Sequence, residues 1–342
     1  MPRLDQSILI TGATGFVGSY ILRRLISTGY TKVSAIYRRS SPFDLIPEDI
    51  KHQVTWHICD LTDTDELSEL IKEVEVIIHC AALVSFWPRQ YDLMDRINHL
   101  AVKDLISIAE GCGVKRLIHL SSVEALGYGD LINDEDSLYE EATAMSRYSI
   151  TKRRADEEIK SSNLDYTIYH PGFVLGGGYW DRAPLNFIKK IYEGMSFYPS
   201  GSIGVVDVRD VADILVQNIA NASTYRQAYI LVSENIRHEI YFKEIARQLG
   251  LPRKFRRLNE PLISIAIAVE SMKAIFTKVA PLITRETYKI SSKDLKFDNQ
   301  KIRAATGFEF RGVDESIEDL CACFTSTMSS QKYGILGIGE KV

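Results

Sequence analysis

Long hydrophobic runs are missing from this sequence, and so are paired cysteines and a strong net charge. The longest apolar run of the C-terminal half, residues 265–269, is far shorter than the ~20 residues that a membrane span needs. The five cysteines are an odd number, and Cys321-x-Cys323 has no second pair, so we expect neither a disulfide framework nor a metal site. A net charge of -4 gives no indication of a nucleic-acid partner. With no visible signal peptide and free thiols, the expected location is the cytoplasm.

The composition that remains is that of an ordinary globular protein. Hydrophobic residues make up 45% of the 342 positions and charged residues 25%. This length suits one large domain or two unequal lobes.

A glycine-rich turn opens the chain. The apolar residues 8–10 predict a buried strand, and Gly12, Gly15 and Gly18 follow it at the spacing G-x-x-G-x-x-G before a helical segment over 19–28. Such a turn presents backbone N–H groups and a helix N-terminus to a pyrophosphate. Since glycine turns also serve purely structural roles, the strand before it and the helix after it are what favour dinucleotide binding.

Strand-like and helix-like patterns alternate through the first half, which predicts an α/β fold with a doubly wound parallel sheet. We expect a dinucleotide-binding domain over 1–170 and a smaller substrate-binding lobe over 171–330. The elements over 206–231 return towards the first domain, and 331–342 form a tail. Predicted strands cover 32–37, 53–59, 74–79, 115–120 and 166–169, and predicted helices cover 62–72, 90–110, 143–161 and 258–279.

Tyr148 and Lys152 are the candidate catalytic pair. Four residues apart in a predicted helix, they lie on one face. A phenol with a pKa near ~10 is a poor acid–base catalyst at neutral pH, and a nearby ammonium is expected to lower that pKa. Ser122 follows an apolar strand at the sheet edge, where its hydroxyl can face the same pocket.

Taken in order, these motifs resemble the extended short-chain dehydrogenase/reductase family. The resemblance also includes Asp60-Leu61, His79-Cys80-Ala81-Ala82, Asn98, Pro171-Gly172, residues 206–212, and 297–301 with Gly307-Phe308. Residues 82–89 and 114–127 are most similar to the branch of dihydroflavonol reductases and 3β-hydroxysteroid dehydrogenases. The resemblance implies a Rossmann-type fold in which Ser122 holds a carbonyl oxygen, Tyr148 moves a proton and Lys152 also binds the cofactor ribose.

The cofactor expected from the resemblance is a nicotinamide dinucleotide, and the second strand favours NADP(H). An acidic residue at its end would repel a 2′-phosphate, whereas this chain has Arg38 and Arg39. A solvated basic turn is the other interpretation, which leaves NAD(H) open. The resemblance implies cofactor contacts at Gly12, Gly15, Phe16, Val17, Gly18, Arg38, Asp60, Leu61, Ala81, Ala82, Val84, Asn98, Tyr148, Lys152, Pro171, Gly172 and Val174.

On the substrate side, aromatic and small polar residues follow the strand ends. Each aromatic taken singly is more typical of a core, but together they favour a small hydrophobic or aromatic substrate. The candidates are Ser85, Phe86, Glu124, Phe173 and Tyr179, with Trp180 and residues 262–276 as a lid. The basic residues 253–257 precede the apolar helix, which fits either a membrane surface or a solvated face.

The leading hypothesis is an NADP(H)-dependent oxidoreductase that interconverts a ketone and a secondary alcohol. Two alternatives are a sugar-nucleotide epimerase or dehydratase with tightly bound cofactor, and a cofactor-sensing regulator without turnover. Leu126 before Gly127 counts against a sugar nucleotide, because epimerases of the family usually have an aromatic residue there. A homodimer is the family's usual form, and the sequence does not name the substrate.

Overall fold

A computed structural model describes residues 3–127, 132–137, 144–258, 260–277, 281 and 283–338, and within 260–277 it describes the backbone and part of the side chains. Strands and helices alternate in the first half because short, buried apolar runs are separated by amphipathic segments. The elements are β1 (Ile8–Thr11), α1 (Phe16–Thr28), β2 (Val33–Tyr37), α2 (Glu48–Lys51), β3 (Thr55–Ile58), α3 (Thr64–Ile71), β4 (Val76–His79), α4 (Tyr91–Asp95), α5 (Ala101–Gly111), β5 (Arg116–Leu120), α6 (Arg147–Ser161) and β6 (Asp165–Pro171).

The second half has shorter elements. They are β7 (Phe173–Leu175), α7 (Asn186–Glu193), β8 (Phe197–Tyr198), β9 (Ser202–Asp207), α8 (Val208–Gln217), β10 (Gln227–Leu231), β11 (Glu234–Arg237), α9 (His238–Gln248), β12 (Arg256–Arg257), α10 (Glu260–Thr277), α11 (Arg285–Ser291), α12 (Gln300–Thr306) and α13 (Val313–Thr327). Among the helices in the described residues, none is long and apolar enough to cross a membrane.

Seven parallel strands form the central sheet in the order β10-β6-β5-β4-β1-β2-β3. This confirms the predicted doubly wound α/β fold. The strand order reverses at β1, which pairs with β2 on one side and with β4 on the other. The crevice outside the carboxyl ends of β1 and β4 is therefore the place where such sheets bind ligands.

Both faces of the sheet are covered. Ile8 and Ile10 of β1 point into one core with α1 and α8, and Leu9 points into a second core with α3 and α5. In the second half, β7, β9 and β11 form a three-stranded sheet, and β8 pairs with β12. Strand β10 lies beside β6 at the edge of the central sheet.

The region predicted as one helix over 90–110 differs from the prediction. It consists of α4, a π-helical segment Arg96–Leu100 and α5. The wider π turn contains Asn98, which is 1% exposed and bonds to two neighbouring elements. A hydrophobic period alone does not distinguish an α-helix from one with such an insertion.

Two other predicted helices have different ends. Helix α6 begins at Arg147 because the Ser146 side chain accepts a hydrogen bond from the Ser149 N–H and caps it. The predicted start at Thr143 lies outside the described residues. Helix α10 begins at Glu260, two residues later than predicted, and residues 278 and 279 of that prediction are also outside the described residues.

Candidate active site

The glycine turn between β1 and α1 is closely packed at two of its three glycines. Gly12 has a φ of 72°, and a Cβ there would lie 2.6 Å from the Ala81 nitrogen. A Cβ on Gly18 would lie 2.2 Å from the Gly12 oxygen, so this glycine sets how closely α1 approaches the turn. At Gly15 the nearest atom would be 3.1 Å away. Close packing therefore requires Gly12 and Gly18, whereas a Cβ on Gly15 would be tight but would need only a small shift of its neighbour.

The N-terminus of α1 presents backbone N–H groups as hydrogen-bond donors. Its N-cap is Gly15, and among the described residues no side chain caps this helix. The first N–H groups of a helix have no partner inside it, and together with the helix dipole they favour an anion. Phe16 and Val17, in the first turn, are half-buried.

The loops that follow β2, β3 and β4 bring the other predicted cofactor residues to the same edge of the sheet. Arg38 and Asp60 are exposed, and the Asp60 carboxylate accepts hydrogen bonds from the Thr62 N–H and hydroxyl at 3.0 and 2.8 Å. Leu61 is buried, Ala81 is half-buried, and Ala82 and Val84 are exposed. Val84 leaves 52% of its surface accessible although it is apolar. These residues and the glycine turn lie at the carboxyl ends of the strands, along the crevice outside β1 and β4, which we call the trough.

Asn98 ties this trough to helix α6. Its carboxamide oxygen accepts from the Leu83 N–H at 2.7 Å, and its amide nitrogen donates to the Leu83 carbonyl at 2.8 Å and to Thr151 Oγ1 at 3.2 Å. The geometry gives Asn98 the role of holding the loop after β4 against the helix that carries Tyr148 and Lys152.

The three predicted catalytic residues come from β5 and α6. Ser122 follows β5 and hydrogen-bonds the Tyr148 phenol, and the Ser122 Oγ also accepts from the Glu124 N–H at 3.2 Å. The Phe86 ring lies edge-on to the Tyr148 ring, with centroids 6.3 Å apart. Tyr148 itself is 8% exposed. The structure thus places Ser122, Phe86 and Glu124 around the Tyr148 phenol.

The pKa of Tyr148 is raised above its ordinary value, in contrast to the lowering expected from Lys152. Burial is the main cause, and the Glu124 charge adds to it, while the hydrogen bond with Ser122 acts in the opposite direction. In this structure Lys152 Nζ donates to the Leu120 carbonyl at 2.9 Å and lies 3.1 Å from His119 Nε2. Burial lowers the pKa of Lys152 to about 8.

Three of the predicted substrate residues contact residues other than the Tyr148 phenol, and they are Tyr179, Phe173 and Ser85. Tyr179 donates to the Asp44 carboxylate at 3.1 Å, and the Arg182 guanidinium lies 4.2 Å from its ring centroid. Phe173 packs against Tyr241, with ring centroids 5.6 Å apart. Ser85 is buried and donates to Gln90 at 2.6 Å.

Packing also explains the segment that follows β6. Pro171 ends β6 opposite Leu231, and Val174 is buried in β7 opposite Val206. A Cβ on Gly172 would lie 2.3 Å from the Gly204 oxygen, so the backbone requires glycine here whether or not a cofactor touches it.

One buried residue beside the predicted catalytic group, Asp156, is not among the residues that the sequence motifs indicate. It is 1% exposed and its Oδ2 accepts from Ser121 Oγ and lies 2.9 Å from His170 Nε2. The signal was present in the sequence, because Tyr148, Lys152 and Asp156 recur every four residues and so share a helix face.

A parallel sheet with a glycine turn at its switch point and a Ser–Tyr–Lys group at the same edge defines a nucleotide-dependent oxidoreductase of the short-chain type. The sequence model described as "NAD dependent epimerase/dehydratase family" matches residues 8–231. The chain belongs to this family, the extended short-chain dehydrogenase/reductases, and is an enzyme of that NAD(P)-dependent class.

Comparison with individual proteins agrees with this assignment. A protein of Synechocystis named "Putative dihydroflavonol 4-reductase" is 26% identical over 335 residues, which cover 92% of this chain and 94% of that protein. The crystal structure of gox2253 superposes with a TM-score of 0.79 at 26% identity and covers 94% of this chain and 98% of that one. MoeE5, solved with UDP-glucose and NAD, has a TM-score of 0.73 at 21% identity and covers 95% and 100%.

Proposed function

We propose that this enzyme is an NADP(H)-dependent reductase that interconverts a ketone and a secondary alcohol on a small hydrophobic or aromatic molecule. The observation that carries the proposal is the contact between Ser122 and the buried Tyr148, with the Phe86 ring against the phenol. A proton donor beside a second hydroxyl and an aromatic wall suits a carbonyl group with apolar neighbours.

The residues of the trough fit a dinucleotide. The uncapped N-terminus of α1 and the absence of a side chain at Gly15 suit the pyrophosphate, and Arg38 suits a 2′-phosphate. Asp60 and Leu61 would lie along the adenine, and Lys152 would bind the ribose. When bound, the nicotinamide would supply or accept the hydride.

The chain's own residues supply the proton chemistry. Ser122 would hold the carbonyl oxygen through its hydroxyl. Because burial raises the pKa of Tyr148, the phenol keeps its proton at neutral pH and can donate it to the developing alkoxide. The Lys152 ammonium, one helical turn away, would stabilise the phenolate that remains.

A sugar-nucleotide epimerase or dehydratase is the second candidate, which the description of the matching family supports. Such an enzyme regenerates its cofactor in each cycle and so has reason to retain it. A reductase exchanges cofactor with every turnover.

The deciding experiment is a panel of carbonyl compounds, from aromatic ketones to sugar nucleotides, assayed for NADPH and NADH consumption. We expect turnover of apolar ketones with NADPH and a protein that is purified free of nucleotide. Retained NAD(H), together with interconversion of a sugar nucleotide without net oxidation, would overturn the reductase in favour of the epimerase.

A further inference from the structure

Beneath the catalytic helix lies a buried polar row that the proposed reaction does not use directly. It runs from Lys152 on α6 to His119 on β5, to Asp156 on α6 and to His170 on β6. All four side chains are at most 1% exposed. A charged group in such a place is costly unless a counter-charge or hydrogen bonds stabilise it.

The geometry at His119 assigns its tautomer. An ammonium can only donate, so His119 Nε2, 3.1 Å from Lys152 Nζ, accepts while Lys152 is charged, and the ring proton is on Nδ1. The same Nε2 lies 3.7 Å from Asp156 Oδ1. His119 therefore stands between the cation and the anion as a neutral ring.

Asp156 is held in place on one oxygen only. Its Oδ2 has Ser121 Oγ and His170 Nε2 within 2.9 Å, whereas Oδ1 is buried with no hydrogen-bond partner in the described part of the chain. The carboxylate therefore acts on Lys152 through its charge, and in this structure that charge raises the pKa of Lys152 against the effect of burial.

The other titratable groups around the row are neutral or more remote. His79 of β4 stacks on His119 at 5.2 Å, and burial lowers its pKa to about 3. Burial raises the pKa of the Cys80 thiol to about 12. Glu135 is buried and its charge interacts with His170, and Glu124 interacts with Tyr148 rather than with the row.

We propose that Asp156 is the buried counter-charge that keeps Lys152 protonated one helical turn from Tyr148, and that His119 fixes where the ammonium lies. Both are positioning residues, since they act through Lys152. The row then sets the alkaline limit of activity. The kinetic test of this proposal rests on the proposed function, because it needs a ketone that the enzyme reduces. A spectroscopic test does not depend on it.

The test compares the pH profiles of kcat/KM for wild type and Asp156→Asn on a ketone accepted in the panel. Loss of the Asp156 charge lowers the pKa of Lys152. We therefore expect the alkaline limb of the profile, where kcat/KM falls as the pH rises, to move down by about one to three pH units. At pH 6 the two enzymes should differ much less than at pH 8. An unmoved limb would overturn the proposal.

Asp213→Asn is the matched control. Asp213 is also buried and pairs with Arg24 at 2.8 Å, but it lies in α8 outside the row. This variant should lose stability and keep the wild-type limb. An equal shift in both variants would show a general effect of lost buried charge and would contradict the proposal.

A second pair of variants covers the case in which Asp156→Asn does not fold. His119→Gln keeps an acceptor for the ammonium, so its alkaline limb should lie near the wild-type pH. His119→Leu removes the acceptor, so its alkaline limb should move to lower pH. If His119→Leu titrates as wild type does, His119 has no positioning role.

The independent readout is the 15N resonance of Lys152 Nζ in lysine-labelled protein, assigned with Lys152→Met. We expect its titration midpoint to fall in Asp156→Asn. A shifted midpoint in a protein that reduces no ketone would support the role of Asp156 and overturn the proposed function. An unshifted midpoint in an active reductase would support the proposed function and overturn the role of Asp156.

Discussion

Arg38 and Asp60 stand at the carboxyl ends of two adjacent parallel strands, β2 and β3, and interact through their charges. The pKa of Asp60 lies below its ordinary value, first because of the hydrogen bond from the Thr62 N–H and in part because of the Arg38 charge. The Asp60 carboxylate is thus hydrogen-bonded and also interacts with the charges of Arg38 and Arg96.

Arg38→Ala tests the cofactor preference without a substrate. Loss of a charge-assisted hydrogen bond of ~1.5–3 kcal/mol should weaken NADPH binding by about ten- to a hundredfold, with little change for NADH. Nicotinamide fluorescence titration measures both. Arg39→Ala is the control, and the double variant shows whether the two arginines share the phosphate. Equal losses for both dinucleotides would leave the arginines as a solvated turn.

Tyr148→Phe removes the proton donor and keeps the ring against Phe86. Turnover should fall by ~10²–10⁴-fold, and dinucleotide affinity should stay nearly unchanged, because the phenol acts on the substrate oxygen. Steady-state kinetics and the same fluorescence titration check the two halves of this expectation. Near-normal kcat would exclude Tyr148 as the acid.

Gly15→Ala and Gly18→Ala form a matched pair within one turn. The Cβ on Gly18 would meet the Gly12 oxygen at 2.2 Å, so the variant should lose about 1–3 kcal/mol of unfolding free energy. On Gly15 the closest atom is 3.1 Å away, so the fold should persist while dinucleotide affinity falls. Urea unfolding and titration separate the two effects. The opposite ranking in stability would contradict this account of the turn.

Arg311→Met should be strongly destabilising. Arg311 is 6% exposed and pairs with Asp210 and, at 3.4 Å, with Asp213, which joins the segment before α13 to α8. Loss of the guanidinium removes the charged partner of the buried Asp210 carboxylate, which costs about 3–5 kcal/mol. Arg3→Met removes an exposed pair with Glu75 and should cost far less than Arg311→Met. Similar unfolding free energies for the two variants would refute the contrast.

The sequence predicts the sheet and the glycine turn well because both depend on local patterns. Apolar runs such as residues 8–10 determine strands, and the spacing of Gly12 and Gly18 reflects contacts within one turn. The family motifs likewise lead to Ser122 and Tyr148, which meet in the structure.

What the sequence does not predict depends on which elements become neighbours. The row from His119 to His170 forms only because β5, α6 and β6 pack together, and the π turn at Asn98 depends on its bonds to Leu83 and Thr151. The aromatic character of Tyr179 favours a place in the substrate pocket, but its partner Asp44 comes from the loop after β2.

The buried contacts of α1 tie its packing to the far end of the described chain. The Leu336 N–H donates to the Tyr20 hydroxyl at 2.8 Å, and Arg23 donates to the Leu336 carbonyl at 2.8 Å, across 316 and 313 positions of sequence. During synthesis, α1 can therefore gain these two hydrogen bonds only after residue 336 has emerged from the ribosome. Until then, Tyr20 and Arg23 lack these partners, and we expect the first helix of a truncated chain to be held less firmly than that of the full chain.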